Sequence, residues 1–236
     1  MNRIPFGIDR LDSRIGGGAP GGSVVLLAGE AGAGAREFVY TSAVLNGLQS
    51  ADADLFSLHY GDLSGDATPP DAIHYVSFTA DETDLRREIE YAMDDELVAA
   101  GLEPVEFVDL SPEYFQLSPV PHDWYAYSHR TIRDLGRETE KRDVVEAFAD
   151  YLDAHATGSL VLVDSLTDLL AANDETVSFS DAVLLLKGLR RAARQWDGLV
   201  LFLLEKDAVA DRELGALMTA VDGTIQFEWE SGGNER

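Results

Sequence analysis

Cysteine is absent from the 236 residues, which excludes disulfides and every metal site built on thiolates. Lysine is nearly absent: of 18 basic residues, only Lys141, Lys187 and Lys206 are lysines. No apolar run approaches the ~20 residues of a membrane span. Met1 leads straight into Ile4-Pro-Phe-Gly7 with no signal-peptide pattern, so a cytoplasmic protein without a membrane partner is expected. A basic stretch interleaved with aromatics is also missing, so nucleic acid is not among the expected partners. The local cluster Arg190, Arg191 and Arg194 falls on a predicted helix, whose solvated face accounts for it. Acid is what abounds, with 43 Asp and Glu giving a net charge of −25 and a pI near 4.3. Such a surface suits molar salt, where the Debye length falls to ~3 Å and like charges stop repelling strongly. The charge therefore describes the solvent rather than a basic partner. With 45% hydrophobic residues, the chain is long enough for one α/β domain with a sizeable core.

The rest of the chain is organised around Ser23-Val-Val-Leu-Leu-Ala-Gly-Glu-Ala-Gly-Ala-Gly-Ala-Arg36. Val24 to Ala28 reads as a buried strand, Gly29 to Gly34 as a glycine loop, and Ala35 onward as a helix. This is the layout of a phosphate-binding P-loop, G-x-x-x-x-G-K-[ST]. Its glycines let backbone N–H groups curl around phosphate oxygens at a helix N-terminus. Gly29 and Gly34 hold the required spacing, but the lysine place carries Ala35 and the Ser/Thr place carries Arg36. On this layout the vestigial nucleotide site is Gly29, Glu30, Ala31, Gly32, Ala33, Gly34, Ala35 and Arg36.

Before the loop, a short helix from Ile8 to Ile15 ends in a glycine cluster. After it, a helix from Ala35 to about Gln49 carries Phe38, Val39, Ala43, Val44 and Leu45 as an apolar stripe. Leu55 to His59 is expected as a short strand, then Gly61 to Pro70 as a turn-rich loop. Ile73 to Phe78 alternates and is predicted as a strand, followed by one helix to about Ala100 with Asp81 as its cap. Val105 to Leu110 is another strand. The aromatic and proline-rich stretch 111–135, with Tyr114, Phe115, Trp124, Tyr125 and Tyr127, reads as an elaborated loop folded on its own domain. A helix from Arg142 to His155 precedes Leu160-Val-Leu-Val-Asp164, an apolar strand ending in a carboxylate where parallel sheets bind ligands. Ser178 or Ser180 opens a helix to Trp196, stopped by Asp197-Gly198. Leu199 to Leu204 and Thr224 to Trp229 are the last strands, and the tail 231–236 is polar and frayed. Alternating strands and helices give an α/β fold with a largely parallel central sheet flanked by helices.

Gly7-Ile8-x-x-Leu11-Asp12, then Gly16-Gly-Gly-x-Pro20-x-Gly22-Ser23, a strand, a P-loop, and Asp164-Ser-Leu-Thr-Asp168 together resemble the KaiC-like ATPases of the RecA superfamily. The likeness covers nearly the whole chain, 1–236, as one RecA-like P-loop domain, and Asp164 takes the Walker B place that holds magnesium in such ATPases. It also exposes departures. KaiC-like enzymes end their second strand in an acidic pair, h-h-h-h-E-E-[ST]; here Tyr75-Val-Ser-Phe-Thr79-Ala80-Asp81 puts Thr79 and Ala80 in its place. Three of four side-chain roles are therefore lost: lysine, Ser/Thr and the glutamates. Each missing electrostatic group is worth on the order of 10²–10³ in rate. No catalytic residue and no metal site remain on this reading, Asp164 being the one Walker B ligand should magnesium bind.

Arg36 is left with two placements. Its guanidinium either lies against Asp164 and replaces the ion's charge, or turns to solvent beside Glu37 or Glu30. The chain as a whole resembles the haloarchaeal group described as RecA-superfamily ATPases implicated in signal transduction, inactivated. That resemblance implies a regulatory or scaffold module. Its partner would be a protein, either an active KaiC-like homologue or a signalling protein, and oligomers are compatible with it. ATP or ADP is expected to bind weakly through the amides of Glu30 to Ala35, or not at all. The rival reading is an active NTPase in which Arg36, or Lys206 or Arg212 from a neighbouring subunit, supplies the missing cation.

Overall fold

Ser23–Gly29 is buried at every position, as a strand covered on both faces must be. The computed structural model describes residues 2–116, 118–125, 143–172 and 178–230. In chain order these form β1 (Arg3–Ile4), α1 (Asp9–Ile15), β2 (Ala19–Pro20), β3 (Ser23–Gly29), α2 (Ala35–Ala51), α3 (Ala53–His59) and β4 (Ile73–Ser77). There follow α4 (Glu82–Ala92), α5 (Asp95–Gly101), β5 (Val105–Asp109), α6 (Ser111–Phe115), α7 (Val144–His155), β6 (Leu160–Asp164) and α8 (Leu166–Ala171). The described chain closes with α9 (Phe179–Trp196), β7 (Leu199–Glu205), α10 (Asp211–Ala220) and β8 (Gly223–Phe227).

Six strands make one parallel sheet in the order β5-β4-β6-β7-β3-β8. Side-chain alternation divides its apolar residues cleanly. Val25 and Leu27 of β3, Leu201 of β7 and Leu162 of β6 face a core shared with α2, α4 and α5. Val24, Leu26, Phe202 and Val163 face the opposite core, closed by α7, α9 and α10. Because every strand runs the same way, the carboxyl ends of β3, β6 and β7 open on one edge, where α2 begins.

Three sequence expectations are corrected here. Leu55 to His59 is helical, because Asp52 caps α3 by accepting the N–H groups of Asp54 and Leu55 at 3.1 and 3.0 Å. The helix expected from Asp81 to Ala100 is two helices. Met93 leaves helical geometry, Asp94 caps a new start by accepting the Glu96 N–H at 3.0 Å, and α5 swings back so that Gly101 meets Gly47 of α2 backbone to backbone. The last strand stops at Phe227, two residues short of Trp229. The small sheet β1–β2 and the helices α8 and α10 are additions to the sequence reading.

Within 111–135, expected as a loop, Ser111–Phe115 is helical, and the Tyr114 ring lies 6.4 Å from that of Phe78. Trp124 remains exposed. Tyr127, the expected helix start at Arg142, and the tail 231–236 lie outside the described residues. Among the described residues no helix is long and apolar enough to cross a membrane.

Candidate functional site: a P-loop closed by an ion pair

The glycine loop joins β3 to α2 in the geometry its glycines permit. Gly32 and Gly34 take positive φ, 72° and 99°, which other residues adopt only with strain. Gly29 serves packing: a Cβ there would lie 2.6 Å from Cβ of Ala35. Ala35, in the lysine place, is itself buried. The loop lines a cleft of about 250 Å³ together with Ser165, Thr167, Asp168 and the end of β7.

Arg36, the second residue of α2, reaches across β7 to the end of β6, where its Nη1 donates to Asp164 Oδ2 at 2.6 Å. Of the two placements open from sequence, the ion pair is the one observed. Asp164 is 3% exposed, whereas about half of the Arg36 side chain, 47%, is open to solvent. Tyr75 of β4, fully buried, donates its hydroxyl to the same Oδ2 at 2.8 Å. Tyr40, one turn along α2 from Arg36, donates to Glu88 of α4 at 2.8 Å, and its ring lies 6.5 Å from that of Tyr75. Burial pushes the Asp164 carboxyl above its ordinary value, and Arg36 and the Tyr75 hydroxyl pull against that rise. Arg36 loses hydration in the site, but the carboxylate beside it holds its proton more firmly than in water.

Several nearby carboxylates are committed to local structure. Asp81 accepts the Asp84 N–H at 2.9 Å as the cap of α4, and Glu82 pairs with Arg86 at 2.7 Å. Thr79 and Ala80, in the place of the acidic pair, donate their N–H groups to Ser77 Oγ at 3.3 and 3.0 Å. Asp168 receives the Ser165 hydroxyl at 2.5 Å in the first turn of α8. The basic cluster on α9 is not simply solvated: Arg190 pairs with Asp222 at 2.7 Å and Arg194 reaches it at 3.7 Å, while Asp222 accepts the Val24 N–H at the foot of β3.

A magnesium ion does not fit this arrangement. The Walker B oxygen already takes a guanidinium and a phenol, and the usual hydroxyl ligand is replaced by that guanidinium. Among the described residues no cluster of three or more potential ligands is placed to hold a metal. A polyphosphate fits in part. Glycine geometry and the start of α2 suit it, but of the amides expected to bind it those of Glu30 and Ala33 are spent on the carbonyls of Phe227 and Glu30, each at 3.0 Å. Glu30, Glu37, Asp168 and Glu205 line the cleft, and Arg36 is the lining base. The loop's outer side carries residues the sequence reading did not place there. Lys206 lies 2.9 Å from Glu30 and 2.8 Å from Glu228, and the Trp229 indole donates to the Ala31 carbonyl at 3.1 Å. Tyr75 entered the sequence reading only as an apolar strand position and Trp229 only as a strand end, neither with a role of its own. Their signal is position alone, one on the strand beside Walker B and the other just past the strand beside the loop.

Fold and loop together give a RecA-like P-loop α/β fold. No protein-family model and no curated protein matches the sequence. Solved structures do match. A KaiC-like protein from Pyrococcus horikoshii is similar over 95% of this chain and 79% of its own, at 18% identity and a TM-score of 0.55. The flagellar accessory protein FlaH from Methanocaldococcus jannaschii covers 92% of this chain and 76% of its own, at 17% identity and a TM-score of 0.50. At such identities the likeness is one of fold.

Proposed function

We propose that this chain is a KaiC-like P-loop protein whose hydrolytic site has been retired, and that it serves as a regulatory or scaffold module for a protein partner. The observation that carries this reading is the 2.6 Å contact between Arg36 and Asp164. The cation of the site is covalently part of the chain, it is already neutralised, and it stands where a hydrolytic relative needs an exchangeable metal. With alanine in the lysine place and no carboxylate at Thr79 or Ala80, neither charge on the phosphates nor an attacking water would be managed. What persists is a backbone cradle with weak, metal-independent affinity for ATP or ADP. The acidic, lysine-poor surface suits a cell interior at molar salt, so potassium chloride at that strength is the proper assay solvent.

The rival, an active NTPase using a substitute cation, is less well served. Arg36 is engaged by Asp164, and Lys206 is held in its own chain by Glu30 and Glu228. The test is phosphate release from ATP by the purified chain, with thermal shifts in ATP, ADP and GTP with and without magnesium. The expected result is background turnover and a small nucleotide shift indifferent to magnesium. Turnover that disappears in Asp164→Asn would overturn the proposal.

A further inference from the structure

We infer that Trp229 and Lys206 are positioning residues: they form a strap behind the phosphate loop that keeps it cup-shaped without a ligand. The cleft side of the loop is lined by the loop itself, and neither Trp229 nor Lys206 lines it. Behind it, the Glu30 N–H donates to the Phe227 carbonyl at 3.0 Å, prolonging the pairing of β3 with β8. One residue past Glu228, the Trp229 N–H donates to Glu30 Oε2 at 2.9 Å and its indole N–H to the Ala31 carbonyl at 3.1 Å. Lys206 bridges Glu30 Oε1 and Glu228 Oε1, so both carboxylate oxygens of Glu30 are tied down. The indole edge passes 3.6 Å from where a Cβ on Gly32 would stand.

These contacts answer a specific weakness. An anion cradle needs its N–H groups turned inward and its carbonyls outward. In an ordinary P-loop, lysine and bound phosphate enforce that orientation; here the lysine is Ala35. Gly32, free to take either sign of φ, makes a flip of the Ala31–Gly32 peptide cheap, and a flip would point a carbonyl into the cup. The indole N–H on the Ala31 oxygen opposes that flip. Glu30 poses the second problem, since a free carboxylate on the loop would repel phosphate; Lys206 and the Trp229 amide hold it fixed. Packing does not account for Trp229, a residue 66% exposed whose indole N–H is nonetheless satisfied.

The inference rests on reading the loop as a retained cradle, so the first readout needs no ligand. Hydrogen exchange is measured by mass spectrometry on the full chain in molar potassium chloride, for wild type, Trp229→Ala, Trp229→Phe and Lys206→Gln. Amides of 30–36 should exchange about tenfold faster in Trp229→Ala, with β3 and β6 unchanged. Trp229→Phe keeps a ring but no N–H, and Lys206→Gln frees Glu30; both should fall between. Unchanged loop exchange in Trp229→Ala, or an equal rise across the core strands, overturns the strap. The second readout is calorimetric titration with ADP and with inorganic tripolyphosphate, where Trp229→Ala should bind about threefold more weakly. If wild type binds neither, the cradle reading fails while the exchange result still decides the strap. Tighter binding by Trp229→Ala would refute the strap as a positioning device.

Discussion

Among the described residues two aspartates are buried, and they are kept in opposite ways. Asp12, in the motif before the loop, is fully buried, yet every partner it has is neutral. Its Oδ1 accepts the Phe6 N–H at 2.9 Å, and its Oδ2 accepts the Ile8 N–H at 3.0 Å and the Tyr60 hydroxyl at 3.1 Å. Asp164 also has a tyrosine hydroxyl, but its other partner is the Arg36 guanidinium. Burial raises both carboxyls above their ordinary value; backbone N–H groups oppose the rise at Asp12, and a cation opposes it at Asp164. The difference separates a carboxylate held by backbone dipoles from one held by a charge. Asp12 fixes the chain entering β3 and needs only dipoles that the backbone supplies. Asp164 stands at the open edge of the sheet, at the carboxyl end of β6, and it is stable there because the sequence supplies a counterion of its own.

The largest effect should come from Asp12→Ala. It strands two N–H groups beside a buried phenol, and should lower the unfolding free energy by about 4 kcal/mol in chemical denaturation. A loss below 1 kcal/mol would mean that water replaces the carboxylate, and the contrast with Asp164 would dissolve. Arg36→Ala should lose less, about 2 kcal/mol at neutral pH, because one partner was half exposed and Tyr75 remains. Its pH dependence carries more information. A carboxyl whose folded pKa lies above its unfolded value contributes its stability below that unfolded value and loses it as pH rises through the folded one. Without Arg36 the Asp164 pKa should rise further. The deficit of Arg36→Ala against wild type should then be small near the ordinary value of 3.8 and widen as pH climbs toward neutrality. A deficit independent of pH would mean that the two side chains do not share charge in solution.

The scaffold was the legible part. Periodicity and glycine spacing placed β3, the loop, α2, β6 and α9, because a doubly covered strand and an amphipathic helix write their burial directly into the sequence. The departures from the P-loop pattern were equally plain, since Ala35, Arg36, Thr79 and Ala80 stand at fixed offsets from Gly29 and from the second strand. Arg36 itself was undecided. A long flexible side chain beside three acidic candidates has no local preference, and only β6, contributed from 128 residues away, settles where its charge goes. Leu55 to His59 misled because five residues are too few to tell a strand from one turn and a half of helix, and the deciding signal was the cap at Asp52. Lys206, read from sequence as a cation for a neighbouring subunit, and Trp229, read as a strand end, were misplaced for a different reason. Their importance lies in touching the outer side of the loop, and nothing in a single sequence encodes which loop a residue past a strand end will meet.

The smallest and most discriminating effect concerns the two tyrosines. Each donates one hydroxyl to a buried aspartate, so on distance alone Tyr60→Phe and Tyr75→Phe should look alike. They should not, because their oxygens are shared differently. Asp12 keeps a backbone donor on each oxygen after Tyr60→Phe, and those donors cannot strengthen further; the loss should be about 1 kcal/mol in any background. At Asp164 a guanidinium on the same oxygen can take over most of what Tyr75 gave, so Tyr75→Phe alone should lose only about 0.5 kcal/mol. Once Arg36→Ala has removed that guanidinium, the phenol is the remaining partner of a charge that is 3% exposed. The same substitution should then lose about 1.5 kcal/mol, a coupling of about 1 kcal/mol measurable in a double-mutant cycle. Additive losses would show that Arg36 and Tyr75 do not serve one charge, and the ion pair would no longer explain how this carboxylate survives where a metal is expected.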